Sequence, residues 1–122
     1  MDIEQFWKDI LAQNRDALSG YFCHDAVIWW HCTNEQFTVQ EFIQANCDYP
    51  GEWDGIIERK CYIDDQIITV VKVFSKGRTA SFHVVSFFEL KENLISALDE
   101  YWADDGEAPN WRKQMGIGIP IR

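Results

Sequence analysis

Glu100 is the residue whose type and neighbours best suit acid-base chemistry in this chain. It lies in Ile95-Ser96-Ala97-Leu98-Asp99-Glu100-Tyr101-Trp102, a stretch with strand character. Side chains alternate in a strand, so Ser96, Leu98, Glu100 and Trp102 share one face while Ala97, Asp99 and Tyr101 share the other. If the Leu98 and Trp102 face lines a cavity, the carboxyl sits between apolar neighbours, and desolvation raises its pKa toward the range of a general acid or base. The alternative is a carboxylate facing water, or one paired with Lys72 or Arg59.

Two histidines could partner it. His83 falls in a strand-like run whose opposite face carries Phe82, Val84, Ser86 and Phe88, and His31 follows Trp30 directly. A carboxylate beside either ring would fix its tautomer and complete an acid-base pair; otherwise each is a surface or hydrogen-bonded core histidine. Two histidines and a carboxylate could also hold a metal, but they are not closely spaced, so neither a metal nor a cofactor is expected. Cys23, Cys32, Cys47 and Cys61 form no Cys-x-x-Cys pair and are expected as reduced thiols packed like small hydrophobes.

Aromatic residues make up 15% of the 122 residues, including six Trp. Each buried indole N–H needs an acceptor, so so many point to a cavity, an interface, or both. Trp29 and Trp30 are adjacent in a strand and must face opposite ways. Asn34 lies between a strand and a helix, either at a pocket mouth or bonded within its loop. Lys72 either snorkels outward or holds an anionic ligand.

The elements that would position these residues follow from periodicity. Ile3, Phe6, Trp7, Ile10 and Leu11 recur at helical spacing between Asp2 and about Gln13, with Asp2 as cap; Arg15 to Phe22 forms a second short helix. Ala26 to Cys32 is β-branched and aromatic, a strand broken by Thr33-Asn34-Glu35-Gln36. Thr38 and Glu41 make a capping box, with Phe37 and Phe42 as a hydrophobic staple, for a helix over Val39 to Asn46 that stops in Tyr49-Pro50-Gly51. Ile56 to Ile63, Gln66 to Phe74, Thr79 to Leu90 and Leu94 to Trp102 are strands joined by links short enough for antiparallel hairpins. Helices first and a long sheet afterwards predict an α+β fold. Residues 1–122 are expected to form one domain, with 103–122 an extended C-terminal tail that packs on something through Met115, Ile117, Ile119 and Ile121.

This order resembles the NTF2-like superfamily, particularly its SnoaL-like branch. The likeness rests on Leu18-Ser19-Gly20-Tyr21-Phe22 running into Asp25-Ala26-Val27-Ile28-Trp29-Trp30, on Phe37-Thr38-Val39-Gln40-Glu41-Phe42-Ile43, and on Ile95 through Trp102. The resemblance implies a cone in which N-terminal helices pack on a long, curved antiparallel sheet around a pocket (the cystatin-like form). It places Trp30 inward and Trp53 on the rim. Superfamily members include ketosteroid isomerase, scytalone dehydratase, limonene epoxide hydrolase, polyketide cyclases and transport adaptors, so fold alone does not choose a function. The isomerase's base would fall at about Trp30, which cannot abstract a proton. The epoxide hydrolase's carboxylate would fall on Glu100, but its Arg and Asp would fall near Val70 and Lys72.

With 20 acidic and 11 basic residues, a net charge of -9 and no basic run, nucleic acid and anionic membrane are not expected partners. The acidic N-terminus is unlike a signal peptide and no apolar run approaches a membrane span, so a cytoplasmic location is expected. The functional expectation is a pocket in which Trp30, Trp53, Trp102, Asn34 and Lys72 bind a small hydrophobic or aromatic molecule. The alternatives are a cofactor-free isomerase, dehydratase, cyclase or hydrolase using Glu100 with His83 or His31, and a homodimeric interaction module. For the last, Phe82, Val84, Phe88, Val71 and Val73 are expected to make both sheet faces apolar.

Overall fold

The computed structural model of the chain describes residues 1–122. Helix α1 (Ile3–Leu11) begins where the Asp2 carboxylate accepts the Gln5 backbone N–H at 3.0 Å, and it buries Ile3, Phe6, Trp7 and Ile10. It stops short of Gln13, whose backbone turns left-handed at φ 54°. The Gln13 amide then donates to the Asn46 and Tyr49 carbonyls at 3.0 and 2.7 Å, and the Asn46 amide donates to the Ile10 carbonyl at 3.1 Å. These bonds fasten the end of α1 to the end of α3 (Val39–Cys47). The expected second helix is shorter than its apolar spacing promised: α2 (Arg15–Leu18) gives way to a 3₁₀ turn at Ser19–Tyr21. Tyr21 donates its hydroxyl to Asp9 at 2.5 Å; burial and the neighbouring carboxylate push its pKa up to about 12.

Six strands follow: β1 (Phe22–Trp30), β2 (Glu35–Thr38), β3 (Trp53–Ile63), β4 (Gln66–Ser75), β5 (Ser81–Lys91) and β6 (Leu94–Asp104). They form one sheet in the order β2-β1-β6-β5-β4-β3. Every pairing is antiparallel except β1 with β6, which is parallel. Strand β2 was not expected, because Glu35 and Gln36 read as a break. It is an edge strand whose side chains are exposed apart from half-buried Phe37, so pairing with β1 defines it and no hydrophobic alternation marks it. The capping box forms as expected, with Thr38 accepting from Glu41 at 3.2 Å and Glu41 accepting from the Thr38 N–H at 2.9 Å.

Helices α1 and α3 cover one face of the sheet. Ile67, Thr69, Val71 and Val73 of β4, Val84, Ser86 and Phe88 of β5, and Ile95, Leu98 and Glu100 of β6 are all buried beneath them. Phe6 is the hub of this layer, meeting Trp7, Tyr21, Phe22 and Phe88 edge-on with centroids 5.2 to 6.1 Å apart. Two expectations change here. Ser96 does not share the Leu98 face, because a bulge opposite Glu89 and Leu90 turns Ile95 inward instead and leaves the Ser96 hydroxyl donating to the Glu89 carbonyl at 3.0 Å. Nor do Phe82, Val84, Phe88, Val71 and Val73 make a second apolar face, since all five lie on the covered side. The bare face carries Ile68, Val70, Val85, Phe87 and Tyr101 in adjacent cross-strand rows.

Beyond β6 the chain makes one short helix, α4 (Asn110–Lys113). Its apolar residues Trp111, Met115, Ile117, Ile119 and Ile121 are exposed rather than packed, while the final Arg122 reaches Glu58 and His83. No helix is long and apolar enough to cross a membrane.

Gly55 of β3 passes close beneath α1. A Cβ there would lie 2.8 Å from the Lys72 carbonyl oxygen and 3.0 Å from Leu11 Cδ1, so backbone would have to yield. Gly55→Ala is expected to cost about 1–3 kcal/mol through overpacking. Urea unfolding checks this as a lowered midpoint at unchanged slope, and an unshifted midpoint would show that the β4 backbone at Lys72 and the Leu11 side chain both give way without cost.

Candidate ligand pocket

At one end of the sheet the strand termini converge on a cavity of about 240 Å³ between the sheet and the C-terminal ends of α1 and α3. Five aromatic rings follow one another along it. Trp30 of β1 meets Trp102 of β6 at 6.4 Å and 66°, Trp102 meets Phe82 of β5 at 6.3 Å and 81°, Phe82 meets Trp53 of β3 at 5.7 Å and 46°, and Trp53 meets Tyr49 at 5.5 Å and 73°. Strand alternation places them: Phe82 lies two residues before buried Val84, and Trp102 two after buried Glu100. Ile10, Leu11 and Val73 supply the aliphatic wall. The polar border is Gln13, Asn46, Thr33, Cys32 and Asp104, and no Lys, Arg or His touches the cavity.

Glu100 lies under two of these indoles, at the cavity's floor but outside its lining, and is only 2% exposed. Trp30 Nε1 donates to Glu100 Oε1 at 3.1 Å and Ser86 Oγ donates to Oε2 at 2.6 Å. Burial drives the Glu100 pKa upward; the donors Ser86, Trp30 and Trp102 oppose it and do not overcome it. Trp102 exerts its pull without a well-formed hydrogen bond, for its buried Nε1 has no partner in bonding geometry. The other indoles are accounted for: Trp7 donates to Thr69 at 3.2 Å, Trp29 to Gln36 at 3.0 Å and Trp53 to the Pro50 carbonyl at 3.2 Å, while Trp111 is exposed.

Of the residues singled out in the sequence, Trp30, Trp53 and Trp102 come together around the cavity and Glu100 lies below them. The histidines do not join it. His83 is one residue out of phase with Ser86 and Val84, so it projects from the bare face, opposite Lys72. There it bonds Glu58 at 3.0 Å and Asp105, with Arg122 3.2 Å from its Nε2. Burial raises the Asp105 pKa, but hydrogen bonds from Ser81 and His83 and the charges of His83 and Lys72 hold it below the ordinary carboxylate value. His31 lies beyond β1, stacked on Tyr101 at 4.4 Å and bonded to Asp99 at 2.6 Å. Lys72 faces away from the cavity, and Asn34 occupies the exposed β1–β2 turn at φ 58°. Phe82, Tyr49, Leu11 and Asp104 were missed. Phe82 shares parity with Val84, and Asp104 shares parity with Glu100, so both were within reach of the alternation rule had β6 been extended two residues past Trp102.

Comparison with known proteins sets this site in its fold. No protein-family model matches the sequence, and no curated protein matches it. Among solved structures, a candidate ketosteroid isomerase from Kribbella flavida DSM 17836 superposes with a TM-score of 0.80 at 18% identity, covering 98% of this chain and 87% of that one. An NTF-2-like protein of unknown function from Burkholderia xenovorans LB400 gives 0.76 at 21% identity over 97% and 92% of the two chains. A protein of ketosteroid isomerase-like fold from Catenulispora acidiphila DSM 44928, in complex with trimethylamine, gives 0.66 at 15% identity over 82% and 84%. The chain therefore has the NTF2-like fold.

The buried carboxyl makes a measurable claim. Glu100 ionises near its ordinary value of 4.5 when unfolded and at higher pH when folded. The stability it contributes is thus full below that value and is lost as pH rises through the folded pKa. Glu100→Gln cannot ionise, and its amide can still accept from Trp30 and donate to Ser86. The Tm difference, variant minus natural protein, should grow from about pH 4 to about pH 8. A difference that stays flat would place an unperturbed carboxyl at position 100.

Proposed function

We propose that this chain binds a small hydrophobic or aromatic molecule in the cavity walled by Trp30, Trp102, Phe82, Trp53 and Tyr49. The enclosure of one hollow by five consecutive rings, with a few polar groups at its border, carries the proposal. A trimethylamine complex of a protein with this fold supports small-molecule occupancy. Acid-base catalysis by Glu100 is the weaker reading, because its carboxyl lies behind the indoles and the imidazoles of His31 and His83 bond Asp99 and Glu58 instead. Four free cysteines suit the reducing cytoplasm.

Thermal melting against a panel of small aromatic and aliphatic compounds tests the proposal. A ligand at about 100 times its Kd should stabilise the protein by about 2.7 kcal/mol, roughly 10 °C in Tm. Thr33→Trp, at the exposed mouth, should plug the cavity and abolish the shift. A panel with no effect, or one whose effect survives that substitution, counts against the pocket.

A second reading rests on the bare sheet face, which offers Ile68, Val70, Val85, Phe87 and Tyr101 to a second copy of the chain. Sedimentation equilibrium should find a dimer at tens of micromolar that Phe87→Glu converts to monomer. A monomeric natural protein removes this reading and leaves the pocket untouched.

A further inference from the structure

We propose that the ligand is a small organic cation, a methylated or quaternary ammonium ion, held by the ring faces and by Asp104. This rests on the cavity being a binding site. The rings give the first reason. Each meets the next at an angle between 46° and 81°, so the wall turns around the hollow instead of stacking flat. An aromatic ring is electron-rich over its face, and three of these five are built on Trp, Trp and Trp, the best such surface for an alkylammonium ion. Trp30 and Trp53 already commit their N–H groups, to Glu100 and to the Pro50 carbonyl. Their polar edges are thereby anchored in the protein.

Charge gives the second reason. Asp104 borders the cavity, is exposed, and has no hydrogen-bond or ion-pair partner within the chain. Every other acidic residue that could neutralise a cation in the hollow is absent from its border, as are all Lys, Arg and His. An anion would face that carboxylate with nothing to balance it, and a neutral hydrocarbon has no use for it. An ammonium ion pairs with it while presenting methyl groups to the rings. The net charge of -9 further enriches cations around the protein. The cavity, at about 240 Å³, lies below the range usual for drug-sized ligands and suits a compact ion.

Isothermal titration of the whole chain with choline, and with its neutral carbon isostere 3,3-dimethylbutan-1-ol, separates charge from shape. Choline should bind at least about tenfold tighter than the alcohol. Asp104→Asn, at an exposed side chain with no partner in the chain, should weaken choline and leave the alcohol unchanged; Phe82→Leu, which replaces a ring face by an aliphatic wall, should weaken choline by more than it weakens the alcohol. If the alcohol binds as tightly as choline, the cation proposal is overturned while the pocket stands. It is equally overturned if choline fails to bind although neutral compounds raise the Tm. If no compound of either kind binds, the pocket itself is wrong, and the cation proposal goes with it.

Discussion

A carboxyl group taken out of water must be given hydrogen bonds, and Glu100 obtains its own from two neighbouring strands. Trp30 stands beside it across the parallel β1–β6 pairing and Ser86 opposite it across the antiparallel β5–β6 pairing. Removing either donor would leave a buried acceptor unsatisfied, a cost of about 1–3 kcal/mol. The carboxyl therefore constrains three strands at the level where the hydrocarbon core ends and the cavity begins. It also fixes the Trp30 ring by its N–H edge, so one wall of the cavity is set by a group that does not line it. Trp7 and Thr69 extend the same polar level toward α1, since Thr69 lies opposite Ser86 on the neighbouring strand.

The two faces of the sheet divide the chemistry. On the covered face, ionisable groups are few and held by specific donors, and the space they leave is aromatic and aliphatic. On the bare face, His83, Glu58, Asp105, Lys72 and Arg122 gather at one end while Ile68, Val70, Val85 and Phe87 spread over the middle. Histidine and carboxylates thus meet, but on the side away from the hollow. A buried acid and an imidazole in the same small protein do not make a pair when one residue of strand phase separates them.

The mouth of the cavity is built from element ends: the left-handed Gln13 after α1, the Asn46 and Tyr49 segment closing α3, and the last residues of β1 and β6. Side-chain amides tie these ends to backbone carbonyls, which leaves the ring surfaces free for a ligand. Such ends vary easily among proteins of one fold. Structures at 15 to 21% identity share the NTF2-like frame with this chain, and in this chain that frame carries three indoles, a phenyl ring, a phenol ring and an unpaired Asp104 around the cavity.

Much of this was legible beforehand wherever the governing rule is local. The cap at Asp2, the Thr38–Glu41 box, five of the six strands and the inward phase of Leu98, Glu100 and Trp102 all follow from steric and hydrogen-bonding preferences spanning a few residues. Strand β2, the Ser96 bulge and the parallel β1–β6 contact did not, because each is defined by a partner far along the chain. The sequence alone determined that Glu100 and Trp102 share a face and that the chain is α+β. Only the tertiary structure decided that His83 and Lys72 turn away, that Phe82 and Asp104 join the cavity, and that Glu100 lies beneath the rings. Alternation fixes which side of its own strand a residue takes, but register, bulges and helix placement choose what waits on that side.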